Sequence, residues 1–185
     1  MNYFKHPLAL VGKEANVGDK TRIWAFVNIQ DGASVGKQCN ICDGCFVEKG
    51  AVVGDNVTIK NSVAVFDGVT LEDNVFCGAN VVFVNDRHPR SHYNDSWDLE
   101  KVVVKKGATL GSNSTVLCGV TIGEYAFIGA GSVVTKDVAS HALLVGNPAK
   151  PVGFVCRCGQ KLEKTLVCPC GLKYHQEKES LICDA

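Results

Sequence analysis

The chain carries no excess of charge of either sign, since its 19 basic side chains are matched by 19 acidic ones. That balance removes the general electrostatic case for nucleic acid or an anionic membrane surface as a partner. Long apolar runs are missing as well. The opening Met1-Asn2-Tyr3-Phe4-Lys5-His6-Pro7 holds no apolar core of signal-peptide length, and no later stretch approaches membrane-spanning length. The expectation is a soluble, cytoplasmic protein. With no export signal, the ten cysteines are expected as reduced thiols or metal ligands rather than disulfides. A length of 185 residues suits one principal domain and a small appendage.

What the chain does have is a ladder. An apolar residue recurs at every sixth position: Val11, Val17, Ile23, Ile29, Val35, Ile41, Val47, Val53, Ile59, Val65, Leu71, Cys77 and Phe83. The ladder stops there and resumes at Val104, Leu110, Val116, Ile122, Ile128 and Val134. Gly, Asp, Asn, Lys and Ser fill the intervals, which are turn residues. A period of six matches neither a helix nor an alternating strand. It matches a short strand followed by a turn, the signature of a β-helix built from hexapeptide repeats. Three units make one triangular coil, and Gly18, Gly36 and Gly54 recur once per coil. The anchors amount to about six coils, each stacked about 4.8 Å above the last. The expected fold is therefore all-β: a solenoid over residues 1–139, a closing segment over 140–155 containing a short C-terminal helix, and a Cys-rich tail over 156–185.

The three-unit coil turns sequence spacing into adjacency. Asp67 and Asn85 both lie two positions after an anchor and are one coil apart, so they are expected on the same corner of successive coils. From Phe83 to Val104 the chain takes a far longer step than the single unit that would continue the ladder. If that loop, 84–103, replaces no repeat unit, the column reads Lys49, Asp67, Asn85, Cys118, Lys136. Loops of this length in a regular domain are usually functional or disordered. This one is polar and aromatic: it holds Asn85, Asp86, Arg87, His88, Pro89, Arg90, His92, Tyr93, Asp95 and Trp97. It is taken as the active-site loop.

Here the chain resembles the hexapeptide-repeat acyltransferases, and within them the branch that N-acetylates the 3-amino group of nucleotide-linked amino sugars. The resemblance rests on Thr21-Arg22-Ile23-Trp24, on Phe83-Val84-Asn85-Asp86 with Pro89-Arg90-Ser91, on Ile128 through Val138, and on Val145-Gly146-Asn147-Pro148-Ala149-Lys150. One departure is Ala25, where the family often has histidine after the tryptophan; a role for that histidine is not carried over. The resemblance implies a left-handed β-helix, a homotrimer, and acetyl-CoA bound in clefts between subunits. The substrate class it implies is a UDP-3-amino-glucuronate or a dTDP-3-amino-6-deoxyhexose, used in surface polysaccharide biosynthesis. It also implies that Asn85 contacts the sugar amine.

Acetyl transfer from a thioester needs a neutral amine, a placed thioester, a stabilised oxyanion and an acceptor for the amine proton. The thioester is already activated, so Cys118 need not serve as a nucleophile. Asn85 can orient the amine but cannot act as a base, whereas Asp67, Asp86, His88 or His92 can. The expected catalytic set is Asn85, Asp67 and Asp86, with Asn85, Arg90 and His88 binding substrate. Asp and Asn are also ordinary corner residues, and Arg87 and Arg90 could equally pin the loop by pairing with Asp86 or Asp95. Gly129 and Ala130, next to Gly131, would let the cofactor approach the main chain, and Lys136 and Lys150 are candidates for its phosphates or plain surface lysines. Three rivals remain open. O-acetylation would make His88 or His92 indispensable. The metal-dependent carbonic-anhydrase branch of the same fold is disfavoured because His88, His92 and His141 form no suitable column. A non-catalytic β-helix scaffold would have little use for the long polar loop.

The tail carries two Cys-x-Cys-Gly knuckles, Cys156-Arg157-Cys158-Gly159 and Cys168-Pro169-Cys170-Gly171. Four thiolates suit a closed tetrahedral zinc site, so Cys156, Cys158, Cys168 and Cys170 are the expected ligands of a structural zinc, with His175 and Cys183 as spares. A reduced, metal-free tail is the alternative. Cys39, Cys45 and Cys77 lie on buried positions of the repeat and are expected as small core side chains.

Overall fold

The computed structural model describes residues 2–92 and 99–184. Short strands of two or three residues alternate with turns, and they stack into three parallel sheets. One sheet contains Phe4–Lys5, Arg22–Ile23, Asn40–Ile41, Thr58–Ile59, Phe76–Cys77, Thr109–Leu110, Phe127–Ile128 and Ala142–Gly146. The second runs from Leu10–Val11 through Val82–Phe83 to Val133–Val134, and the third from Asn16–Val17 to Thr121–Ile122. Each strand pairs with its counterpart one coil on, as Arg22 with Asn40 and Ile59 with Cys77. The architecture is a left-handed-type solenoid of about 8 turns.

The anchors point inward and are buried without exception from Ile23 to Val134. Burying one such side chain is worth about 1.5–3 kcal/mol, and each coil adds three to a single continuous core. Cys39, Cys45 and Cys77 are buried in it. Burial raises the Cys45 thiol to about 11, as fits core filler rather than a nucleophile. Most corners turn through a left-handed residue, such as Asn56 (φ 56°), Asn74 (φ 61°) or Gly50 (φ 85°).

Two expectations need correction. The stack is longer than the six coils counted from apolar anchors. It begins at Phe4–Lys5, where an exposed lysine occupies the anchor position at the open end, and it continues past Val134 through Val138 and Leu144. No helix is present among the described residues, hence none long and apolar enough to cross a membrane. Where the sequence suggests a short C-terminal helix, Ala142–Gly146 and Ala149–Val155 form an antiparallel hairpin. Pro148 and Pro151 lack the amide protons that a helix needs, while Gly146 (φ 101°) and Gly153 (φ 150°) take backbone angles outside the helical region.

The insertion leaves the stack intact. Phe83 pairs with Val116 and Leu71 with Val104, each pair separated by one coil plus the insertion, so the loop leaves and re-enters without a change of register.

The tail has its own small core of Cys156, Leu162, Cys168, Tyr174 and Leu181. Lys161–Leu162 continues the first sheet, and Lys173–Glu177 pairs with Ser180–Asp184.

Candidate functional site

The loop departs at one corner, after the strands of the second sheet. Three positions past the anchor, that corner carries Gly32, Gly50, Gly68 and Gly119 in their respective coils, all with positive φ. In the coil of Phe83 the same position is Asp86, which has no positive φ. The tight corner is opened there. Asp86 Oδ1 accepts a hydrogen bond from the His88 amide (2.9 Å), a local turn that starts the loop outward.

The neck of the loop is held by Arg87. Its Nε and Nη2 donate to the two carboxylate oxygens of Glu100, both at 2.5 Å, and Nη2 also donates to the Cys118 carbonyl (3.2 Å) in the next coil. The fork joins the outgoing strand of the loop to the returning one and ties both to the solenoid. The Arg87 hydrogen bonds hold the Glu100 carboxyl below the ordinary glutamate range, and Glu100 in turn raises Arg87. A Cβ on Gly119 would lie 2.7 Å from Glu100 Oε2 and 3.1 Å from Arg87 Nη2, so the missing side chain makes room for the pair. Of the two partners expected for Arg87, Asp86 accepts the His88 amide instead, and Asp95 lies outside the described residues. Repeat spacing does not reveal Glu100, because its pairing depends on how the loop returns; the only hint is that it is the last acid before the ladder resumes.

The column of residues two past the anchor is formed as the spacing requires: the pairings of Ala64 with Val82, Phe83 with Val116 and Val116 with Val134 place Asp67, Asn85, Cys118 and Lys136 in register. Asn85 is half-buried, and its carboxamide makes no hydrogen bond to any described residue. Asp67 is half-buried too; its amide donates to Glu48 Oε2 (2.9 Å), and its carboxylate lies over Gly50 in the coil below. That carboxylate has no hydrogen-bond partner among the described residues. Cys118 is buried. His88, Arg90 and His92 are exposed, and Arg90 donates to the neighbouring Pro89 carbonyl (2.9 Å). Tyr93, Asp95 and Trp97 lie outside the described residues.

The expected cofactor residues sit farther along the stack. Gly129 and Ala130 form the turn after Phe127–Ile128, and Lys136 and Lys150 are exposed. Lys136 borders a cavity of about 380 Å³ between the last coil, the closing hairpin and the tail, where Leu144, Pro151 and Phe154 supply apolar walls and Gln176 and Lys178 polar ones.

In the tail, the four cysteine sulfurs lie within 4.8 Å of one another. Cys156 Sγ is 3.5 Å from Cys170 Sγ, and Cys158 Sγ is 3.5 Å from Cys168 Sγ. These gaps are far beyond a disulfide bond of about 2.05 Å and close to the ~3.8 Å edge of a tetrahedron with zinc–sulfur bonds of about 2.3 Å. The two knuckles repeat one backbone design. Cys156 and Cys168 each donate their amide four positions ahead, to Gln160 and Leu172 respectively, and the Gly159 and Gly171 amides donate back to them. Of the two spare ligands, His175 is turned to Asp184 and Glu177.

Residues 101–136 match the family described as "Bacterial transferase hexapeptide (six repeats)", and residues 50–83 match "Hexapeptide repeat of succinyl-transferase". A dTDP-3-amino-3,6-dideoxy-alpha-D-galactopyranose 3-N-acetyltransferase from Aneurinibacillus thermoaerophilus is 50% identical over 174 residues, covering 92% of this chain and 90% of that protein. Among solved structures, a point mutant of the GDP-perosamine N-acetyltransferase of Caulobacter crescentus, in complex with CoA and GDP-perosamine, is similar with a TM-score of 0.51 and 24% identity, over 83% of this chain and 57% of that one. The acetyltransferase domain of PglB from Neisseria gonorrhoeae, in complex with acetyl coenzyme A, is similar with a TM-score of 0.53 and 20% identity, over 81% and 57%. These two likenesses are likenesses of fold.

Proposed function

The chain belongs to the hexapeptide-repeat acetyltransferases, and on that premise we propose that it moves the acetyl group of acetyl-CoA to the 3-amino group of a nucleotide-linked amino sugar. Of the two substrate types expected, the dTDP-3-amino-6-deoxyhexose is favoured, because the 50% identical relative is named for such a sugar. In this reading the protein is a cytoplasmic homotrimer serving surface polysaccharide biosynthesis, with acetyl-CoA in the clefts between subunits.

The observation that carries the reading is Asn85, whose carboxamide is unpartnered among the described residues at the root of the long insertion in the stack. Its Oδ1 accepts an N–H of the sugar amine and turns the nitrogen lone pair toward the thioester carbonyl. The amine attacks that carbon, a tetrahedral oxyanion forms, and the C–S bond breaks to release CoA as its thiol or thiolate. The amine proton goes to a carboxylate in reach. Asp67 is preferred over Asp86 for this step, because Asp86 already accepts the His88 amide, whereas the Asp67 carboxylate is unpartnered among the described residues. Arg90 and His88, exposed on the loop, face the nucleotide-sugar phosphates or hydroxyls. Lys136, on the same corner, serves the cofactor together with the Gly129–Ala130 turn on the corner after the first sheet and with Lys150 of the closing hairpin. The tail carries a structural zinc on Cys156, Cys158, Cys168 and Cys170, remote from the transfer.

The test is mass-spectrometric detection of acetyl transfer across a panel of dTDP- and UDP-linked amino sugars. Transfer to a 3-amino sugar is expected. Acetylation of a hydroxyl would favour the O-acetyltransferase, and no transfer together with no saturable thermal shift by acetyl-CoA would favour a scaffold.

A further inference from the structure

The tail metal raises a question that four thiolates do not answer, namely what fixes the knuckles against the end of the solenoid. One side chain touches both. The Tyr174 hydroxyl lies 3.1 Å from Cys156 Sγ and 3.0 Å from the Arg157 amide. An amide N–H can only donate, so the phenolic oxygen accepts from Arg157 and its own proton is left to point at the sulfur. A metal-bound thiolate is the acceptor such a proton suits, and groups of this kind orient ligands in metal sites generally.

The ring of Tyr174 is equally engaged. It is buried and meets His141 edge-on at 5.0 Å, and His141 stacks on Tyr125 at 5.2 Å. His141 is itself buried, and its Nδ1 lies 2.9 Å from the Val155 carbonyl, which can only accept, so Nδ1 carries the proton. The Arg157 guanidinium caps the other end by sitting 5.2 Å over the Tyr125 ring. Tyr125 and His141 are left-handed corner residues of the last coils. A continuous chain of contacts thus runs from the sulfur cluster to the solenoid, with Tyr174 as its central link. Farther along from Tyr174, the same hairpin presents Gln176, Lys178 and Glu179 to the cavity beside Lys136.

We propose that Tyr174 seats the tail metal by donating to the Cys156 sulfur, and that the seated ion fastens the tail hairpin to the solenoid end and so completes the cavity at Lys136. This rests on the zinc reading of the four cysteines and not on the transfer reaction. Tyr174 is a positioning residue here, not a ligand.

The experiment uses the full chain, purified from zinc-supplemented medium, with metal content by mass spectrometry, zinc release to a chromogenic chelator, and amide hydrogen exchange. Wild type is expected to hold one zinc. Tyr174→Phe keeps the ring and its packing, so it should fold and still bind zinc, but surrender it to the chelator at about tenfold lower concentration or less. Stripping zinc from wild type, which needs no mutation, should abolish exchange protection over Lys173–Asp184 while the coils through Leu144 keep theirs. A protein that takes up no zinc on titration would sink the zinc reading itself. Zinc held by Tyr174→Phe as firmly as by wild type would overturn the seating role, and tail protection that survives stripping would overturn the fastening.

Discussion

Replacing Asn85 with alanine separates the proposed chemistry from the fold. The Asn85 carboxamide makes no hydrogen bond to any described residue, so its removal breaks no internal contact of that kind. The neighbouring anchor Phe83, which supplies the packing, is untouched and fully buried. Stability should therefore change by no more than about 0.5 kcal/mol, the usual range for a substitution away from the core. If the amide orients a polar, partly charged nitrogen in the transition state, one such hydrogen bond is worth about 1.5–3 kcal/mol. At about 1.36 kcal/mol per decade, kcat/KM for the amino sugar should fall roughly 10- to 150-fold. Steady-state release of free CoA thiol, followed with a disulfide reagent, gives the rate, and urea denaturation of the same preparation gives the stability. Asn85→Asp adds a control, since it preserves the shape while replacing the amide with a charge. Wild-type activity in Asn85→Ala would refute the assignment, and so would a loss of activity that merely follows a loss of stability.

The Arg87–Glu100 fork should act as a unit: Arg87→Ala and Glu100→Ala are each expected to lower kcat/KM on the order of 10- to 100-fold by misplacing the loop. The double variant should be no worse than either single one, and additive losses would show that the two do not act through each other. Gly119→Ala should resemble them, because the added methyl strikes the pair and the site has φ 77°. In the core, Leu110→Ala should cost about 2–5 kcal/mol and Ile122→Val about 0.5–1.5 kcal/mol in urea denaturation, with the site residues unmoved. His141 gives the pH dependence. Burial holds its pKa below the ordinary 6.5, so the unfolded chain binds the extra proton first. Stability is intact above about pH 6.5 and should decline as pH falls from there toward the lower folded value. His141→Gln should flatten that part of a thermal-melt pH series; an unchanged slope would show that His141 is not the group responsible.

Most of the fold is legible because the repeat is strict: one six-residue phase fixes the anchors from Val11 to Phe83 and a second those from Val104 to Val134, and the three-unit coil then fixes who stands above whom. The pairing of Phe83 with Val116 agrees with the length of the insertion counted from Phe83 and Val104 alone. The ends are less legible, since Lys5 is polar on an anchor position that needs no burial at an open edge. The closing hairpin hides behind a segment that suggests a helix, though Pro148 and Pro151 argue against one. Within the site, the column through Asp67 and Asn85 follows from spacing, but Glu100 does not, because salt-bridge partners are chosen by how a loop folds back. Tyr174 is invisible for a similar reason: nothing in the spacing of the cysteines identifies the residue that will hydrogen-bond to one of their sulfurs.

The unbroken register across the insertion has a consequence for how such a protein can diversify. The coils before and after the loop pair as though it were absent, so its length and composition are nearly independent variables of the scaffold. Doubling a loop costs only about 0.6 kcal/mol in closure entropy, less than one typical truncation in the core. On the proposed reading of the loop as the sugar site, a new sugar would call for redrafting only a single excursion between a fixed exit and a fixed return. The Arg87–Glu100 fork then marks the boundary between what may drift and what must stay.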